Sequence, residues 1–231
     1  MHLKRLAASR YFRIPRKKYK WVIRPNPGPH PIDRCLPLLV IVRDVLKYAD
    51  NAREAKYIIK SGKIKVDGRI RKDPKFPVGL MDVIAIDDIE EYYRILIKRG
   101  GAFMFKQINE KEASFKLCRI VNKTAVKNGK IQLNLHDGKN CLVDQESQVN
   151  YKTCDTVILS LPNYSIRDLL KFEKGATSLI TDGRKAGYVG HIEEFKESRK
   201  SRVTLRCNST KVETIKDYVF VIGKEKPTIS L

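Results

Sequence analysis

Four prolines in eight residues, Arg24-Pro-Asn-Pro-Gly-Pro-His-Pro31, set the first boundary of this chain. Each proline ring locks φ near about −65° and removes a backbone donor, so the stretch supports neither a helix nor a central strand. It must be an extended connector. The segments on its two sides differ in charge. Residues 1–32 carry nine cations and no acid. Residues 33–86 carry twelve cations against seven acids, 87–174 fifteen against twelve, and 175–231 eleven against seven. All four segments are positive and together give the formal net charge of +21. Only the first is one-sided, which reads as a basic arm ahead of folded domains with a basic bias.

The arm interleaves its charge with rings. Lys4, Arg5, Arg10, Arg13, Arg16, Lys17, Lys18, Lys20 and Arg24 alternate with Tyr11, Phe12, Tyr19 and Trp21. Cations neutralise phosphates, and aromatic rings stack on unpaired bases. The competing reading is a solvated tail whose aromatics pack on the next domain, and the two are compatible. The arm shows little helical or strand periodicity, so on its own it is expected to be largely disordered. A polyanion is the natural partner, nucleic acid ahead of an anionic membrane, because no sustained amphipathic helix is present.

Several classes drop out early. Apolar residues make up 42% of the chain, enough to build cores. The longest apolar run, residues 38–42, is far short of the ~20 residues a membrane-spanning helix needs. No apolar stretch comes after the basic start, which argues against a secretory signal. An acid-free basic start can imitate a transit peptide, the minor alternative. Cys35, Cys118, Cys141, Cys154 and Cys207 contain no Cys-x-x-Cys, which argues against a zinc knuckle or redox motif. They read as small buried hydrophobes in a reducing compartment.

Residues 35–86 read as helix–helix–hairpin. Leu38, Leu39, Val42, Val45, Leu46 and Ala49 recur at helical spacing. Asn51 followed by Glu54 reads as an N-cap with a carboxylate that reaches back. The second helix runs to Ser61, and Gly62 is a natural left-handed C-terminal residue. On a helical wheel Ala55, Ile58 and Ile59 share one face, while Arg53, Lys56 and Lys60 share another beside Tyr57. Taken alone, that cationic face is an ordinary solvated one. Lys63-Ile-Lys-Val-Asp-Gly-Arg-Ile-Arg-Lys72 reads as a hairpin with Asp67-Gly68 at its tip. A three-residue loop is expected, pairing Val66 with Ile70, placing Lys65 and Arg71 on one face and Arg69 at the turn. Pro74 and Pro77 end the pairing, and residues 82–86 return as a strand.

This unit resembles the S4-type RNA-binding domain, on Asn51-Ala-Arg-Glu-Ala-Lys, Gly62-Lys-Ile-Lys-Val-Asp-Gly-Arg and Pro77-Val-Gly-Leu-Met-Asp-Val-Ile. The resemblance implies that the two helices and the start of the hairpin face RNA. Residue by residue that selects Arg43, Lys47, Arg53, Lys56, Lys60, Lys63, Lys65 and Arg71, with Arg69 and Lys72 alongside. The domain also occurs in enzymes, so it argues for RNA and not for a particular task.

Residues 87–174 read as a mostly β segment. Strand-like runs lie at 92–97, 102–105, 115–126, 131–135 and 156–159, with turns at Asn128-Gly129 and Asp137-Gly138 and one helical turn from Glu110. No polar cluster stands out. Residues 175–231 alternate apolar residues with Gly175, Gly183, Gly187 and Gly190, which reads as a small SH3-like barrel. Gly183-x-x-x-Gly187 lacks the Gly-Lys-Ser/Thr ending of a phosphate loop, so its glycines read as tight turns. The stretch resembles a KOW motif, in which the glycine at position 187 turns the backbone near RNA. Arg184 and Lys185 are its candidate phosphate contacts.

Over essentially its full length the chain resembles the archaeal and eukaryotic small-subunit ribosomal protein S4e family. His2-Leu-Lys-Arg-Leu-Ala-Ala8, Gly28-Pro-His30, Cys35-Leu-Pro-Leu, Lys116-Leu-Cys-Arg, Val219-Phe-Val-Ile-Gly223 and Ile229-Ser-Leu231 carry the match in order. The length and short termini resemble archaeal members. Three positions depart from the pattern. Ser9 stands where proline is usual, Asp182 where a Thr-Gly-Gly turn is common, and Tyr188 where arginine usually comes after Gly187. The last two weaken the case for phosphate contact there and leave Tyr188 to stack or pack.

The expected fold is α+β and multi-domain: a basic arm with connector (1–34), an S4-type domain (35–86), a mostly β central domain (87–174), and a KOW/SH3-like barrel with tail (175–231). The resemblance implies a structural component that assembles on small-subunit ribosomal RNA, in its 5′ domain, beside neighbouring ribosomal proteins in the cytoplasm. No catalytic residue, cofactor, metal, membrane or small-molecule substrate is expected. One rival is an RNA-modifying enzyme that docks through an S4-type unit. It would need a general base or nucleophile, and His2, His30, His136 and His191 are spread along the chain with no defensible triad or carboxylate pair. The other rival is a KOW-type transcription-elongation factor, which the arm and the S4-type unit disfavour.

Overall fold

In the computed structural model the described residues are 3–9, 11, 12, 14, 15, 17, 19–126, 129–144, 150–196, 201–207 and 210–231. They form two compact units, one from residues 1–96 and 102–114, the other from 97–101 and 115–231. Among the described residues no helix is long and apolar enough to cross a membrane.

The first unit contains the helix pair and the hairpin. Helix α1 begins as Leu38–Val40 and widens into a π-helical turn over Ile41–Val45. The Leu46 N–H donates to the Ile41 carbonyl at 2.9 Å, five residues back. Helix α2 spans Ala52–Lys60 and is capped as expected. Asn51 Oδ1 accepts from the N–H groups of Arg53 and Glu54, and Glu54 Oε2 accepts from the N–H of Asp50. Ala55 and Ile59 are buried, packing the apolar face against the core with Leu38, Leu39, Val40, Ile41 and Val42.

Three expectations need correction in this unit. The hairpin uses a two-residue loop, not three, and pairs Val66 with Arg69 and Lys65 with Ile70. Asp67 and Gly68 both have positive φ, 52° and 75°, which is the backbone a two-residue primed turn requires. The Asp67 carboxylate is buried and accepts from the Val83 N–H at 3.1 Å, which fixes the strained residue. Lys65 and Arg71 therefore do not share a face, and Ile70 is left 53% exposed.

The second correction concerns the boundary at residue 86. Strands Glu91–Ile97 and Phe103–Ile108 extend the hairpin sheet instead of starting the next domain. The sheet order is Arg69–Ile70, Ile64–Val66, Val83–Ile86, Glu91–Ile97, Phe103–Ile108. Buried Arg94 ties this sheet to the helical turn Glu110–Ala113, since its Nη2 donates to the Glu112 carbonyl at 2.8 Å.

The third concerns the arm, which folds back on its own unit. Leu3–Lys4 pairs antiparallel with Trp21–Val22. Ala8, Tyr11, Phe12 and Ile14 are buried, and Tyr11 stacks on Phe103 with centroids 4.4 Å apart. Arg5 is buried too, donating to the carbonyls of Phe12 and Ile14. The packing reading holds for Tyr11 and Phe12, whereas Tyr19 and Trp21 stay about half exposed. The connector has neither helix nor strand over residues 23–31, as its prolines require.

Among its described residues the second unit holds two five-stranded antiparallel sheets. One runs Asn140–Asp144, Lys130–Leu135, Phe115–Val126, Thr156–Ser160, Ile166–Leu170. Its core is Cys118, Ile120, Leu133, Leu135, Val157 and Leu159. Gly138 takes φ 72° in the expected turn, while Asn128 of the other turn lies outside the described residues. The second sheet runs Thr210–Ile215, Arg202–Cys207, Val189–Lys196, Thr177–Ile180, Val219–Gly223. Within this unit the sheets touch through Arg119, which donates to the carbonyls of Asp217 and Val219, and through His136 edge-on to Phe220 at 5.3 Å.

Candidate nucleic-acid interface

Helix α2 presents the clearest cationic face. Arg53, Lys56 and Lys60 are exposed opposite buried Ala55 and Ile59, and Tyr57 stands among them 73% exposed. The cap at Asn51 and the left-handed Gly62, φ 84°, fix where this face starts and stops. Lys60 in the last turn also complements the helix dipole. Lys47, exposed with φ 59°, comes just after the π-helical turn, and Arg43 is half-buried against Asp44 at 2.8 Å.

The hairpin cations are partly engaged within the chain. Lys63 bridges Asp88 and Lys65 bridges Asp87, the first two residues of the 3₁₀ turn Asp87–Ile89. The hydrogen bond and charge of Asp88 raise the Lys63 pKa. Exposed pairs of this kind are screened by solvent and contribute little, so a phosphate can replace the carboxylate. Arg69 and Lys72 are exposed. The Arg71 guanidinium lies over the Phe76 ring at 4.5 Å, with its buried Nε lacking a hydrogen-bond partner among the described residues.

In the arm, Lys4, Lys17 and Lys20 are exposed, Arg24 is half-buried, and Lys20 Nζ stands 5.4 Å from the Trp21 ring centre. Arg5 is withdrawn from any surface by its burial, a correction to its expected role. Arg10, Arg13, Arg16 and Lys18 lie outside the described residues.

Arg184 and Lys185 are exposed in the turn between Gly183 and Gly187. Gly187 has φ 86°, and a Cβ there would collide with the backbone of Lys98 and Arg99. The Asp182 carboxylate accepts from the Gly183 N–H at 2.7 Å, so it closes the turn where the family pattern has glycine. Tyr188 stacks, as its chemistry allows: Arg99 lies 4.7 Å and Lys185 5.7 Å from its ring centre. Nothing in the sequence singles out Arg99. Only the sharp turn at Gly100-Gly101, φ 91° and 80°, hints that the chain reverses beside it.

A buried polar group in the central sheet also escapes the sequence reading. Lys116 and Asp137 are both fully buried, with Nζ 2.9 Å from Oδ2. Lys139 reaches the same oxygen at 3.0 Å, and the Cys118 thiol lies 3.6 Å from it. Burial pushes the Asp137 carboxyl up, but Lys116, His136 and Lys139 together hold it well below the ordinary carboxylate range. Cys118, His136 and Asp137 place ligand-type atoms within 4.8 Å of one another. Two ammonium groups already occupy the carboxylate, and His136 Nδ1 accepts from the Arg119 N–H at 3.2 Å. The group is built as an internal ion pair, not as a metal cage. Strand alternation is the available signal, since Lys116 shares a face with Cys118 and Ile120.

Comparison with known proteins bears on the whole chain. Residues 1–33 match the RS4NT domain, 36–84 the S4 domain and 89–166 the Ribosomal family S4e. The small ribosomal subunit protein eS4 of Methanothermobacter thermautotrophicus is 48% identical over 234 residues, covering 100% of this chain and 95% of that protein. Its counterpart in Methanocaldococcus jannaschii is 48% identical over 238 residues, covering 100% and 97%. The crystal structure of ribosomal protein S4e from Thermoplasma acidophilum superposes with a TM-score of 0.72 at 35% identity, covering 83% of this chain and 96% of that one. An S4 domain between the other two matched segments, and full-length relatives at this identity, leave one assignment: the chain belongs to the ribosomal protein S4e family.

Proposed function

We propose that this protein is a structural constituent of the small ribosomal subunit that binds small-subunit ribosomal RNA through its basic surfaces. The observation that carries the reading is the exposed cationic face of α2, carried by a chain whose full-length relatives are small-subunit ribosomal proteins. Charge neutralisation is the mechanism: Arg53, Lys56 and Lys60, with Lys47 and the hairpin lysines, let RNA strands approach one another. Arg184 and Lys185 supply a second contact on a KOW/SH3-like module, supported by the left-handed glycines of that turn. The arm and connector (1–34), the S4-type segment with its two added strands, the central sheet and the C-terminal sheet serve as separate contact modules. The 5′ domain of the RNA and neighbouring ribosomal proteins are the proposed partners, and the assembled cytoplasmic ribosome is the site of action. No chemical step is assigned to the chain.

The test is sedimentation of the endogenous protein on sucrose gradients, paired with binding of the purified chain to a 5′-domain rRNA fragment across a salt series. Co-sedimentation with small subunits and a steep salt dependence are expected. Sedimentation as a free protein, or with RNA polymerase, would overturn the reading.

A further inference from the structure

The returning arm encloses more than it covers. Between it and the helix pair lies a cleft of about 690 Å³, within the ~300–1,000 Å³ range of small-ligand pockets. Its walls include Tyr19 and Trp21, 52% and 48% exposed, and the cations Arg24, Arg43, Lys56 and Lys75. The carboxylate in the lining is Asp73, and both its oxygens are engaged. Oδ2 accepts from Asn26 Nδ2 at 2.8 Å and Oδ1 from the Lys75 N–H at 2.9 Å. Asp44 outside the lining holds one edge of Arg43 and offsets part of its charge. The balance stays positive, and two rings face the space the cations surround.

Rings beside cations in a cleft of this size suit one unpaired nucleotide. The base offers a π-face to an indole, and the phosphate offers charge to lysine and arginine. A duplex hides its base faces in the stack and cannot use the rings. We infer that this cleft holds a single unstacked nucleotide of the bound RNA, its base against Trp21 and its phosphate against Arg43 and Lys56. The inference rests on the RNA-binding reading and adds to it a strand state, single-stranded RNA, at one defined place.

Trp21 is the sole tryptophan of the chain, so its fluorescence reports on this cleft alone. The full chain is titrated with oligoadenylate, oligouridylate and a blunt RNA duplex. Single strands should quench Trp21 emission and the duplex should not. Arg43→Ala and Lys56→Ala should each weaken the single-strand titration severalfold. Trp21→Leu, followed by the anisotropy of labelled RNA, should lose about tenfold or more in single-strand affinity and keep duplex affinity. Trp21→Phe retains a ring and should recover most of the loss, which separates stacking from a folding defect. Single-strand binding with unchanged Trp21 emission, or equal quenching by duplex, would overturn the cleft while leaving RNA binding intact. Failure to bind any of the RNAs, the 5′-domain fragment included, would remove both readings.

Discussion

His30 Nε2 lies 2.9 Å from Asp82 Oδ2, and both residues are buried. The histidine lies in the proline-rich connector, while the aspartate precedes a strand of the hairpin sheet. Asp82 also accepts from the Gly79 N–H at 2.9 Å, and a Cβ on Gly79 would run into the His30 ring. The connector is therefore clamped by chemistry as well as stiffened by its prolines. Each buried polar group left without its partner costs ~1–3 kcal/mol. Asp82→Ala removes the acceptor for two donors and should lower stability by at least ~2 kcal/mol in denaturant unfolding. A loss under ~0.5 kcal/mol, the scale of an ordinary surface change, would show that the clamp is idle.

Gly187 and Gly175 separate two costs of adding a side chain. Both have positive φ, but only at Gly187 would a Cβ meet backbone, whereas nothing lies within 4 Å at Gly175. Strain alone costs ~1–3 kcal/mol. Gly187→Ala should therefore melt at a clearly lower temperature than Gly175→Ala. Equal melting temperatures would mean that the 98–99 segment yields to the added methyl.

The face of α2 can be tested without disturbing its core. Arg53→Ala/Lys56→Ala/Lys60→Ala leaves Ala55 and Ile59 in place, and alanine favours helix. At ~0.7–0.9 per phosphate contact, the slope of log K against log [salt] should shrink by about 2 to 2.7. Native stability with an unchanged slope would move the RNA contact off this helix.

The Lys116–Asp137 pair predicts a pH signature. An unfolded aspartate titrates near ~3.9, and the folded carboxyl is held well below that. Its stabilisation is complete above the unfolded value and fades as pH falls towards the folded one. Stability should drop with acid below about pH 4, with this group adding up to ~1.4 kcal/mol per pH unit. A Lys116→Met/Asp137→Leu variant should lose that component of the slope while remaining folded. Identical slopes in the two proteins would place the acid sensitivity elsewhere.

Deletion of residues 1–24 should do more than weaken RNA binding. It removes buried Tyr11, Phe12 and Ile14 and strips Phe103 of its stacking partner. Urea unfolding of the truncated chain should show a lower midpoint than the full chain, and coincident curves would restore the picture of a dispensable tail.

Local signals are the legible ones. The N-cap at Asn51, the packing face of α2, the left-handed Gly62 and the extended connector are set by near neighbours in sequence. The hairpin loop misleads because matching Val66 with Ile70 favours one apolar face. The deciding contact, Asp67 with the Val83 N–H, comes from sixteen residues away. The arm misleads for the same physical reason. Its lack of periodicity is real, but rings dock by stacking and Arg5 by finding carbonyls, and neither needs a repeat. Lys116 stays hidden because a buried charge is only intelligible with its partner, and Asp137 sits in a turn that reads as solvent-exposed.

The stack of Tyr11 on Phe103 carries a consequence for timing. Tyr11 leaves the translating ribosome about 90 residues ahead of its partner, which at ~5–20 residues per second is a gap of about 5 to 20 s. Throughout that interval the nascent segment displays its cations and rings with no surface to rest on. A newborn chain is thus most adhesive towards polyanions before it can shield itself, and whatever first captures the segment competes directly with its own later folding.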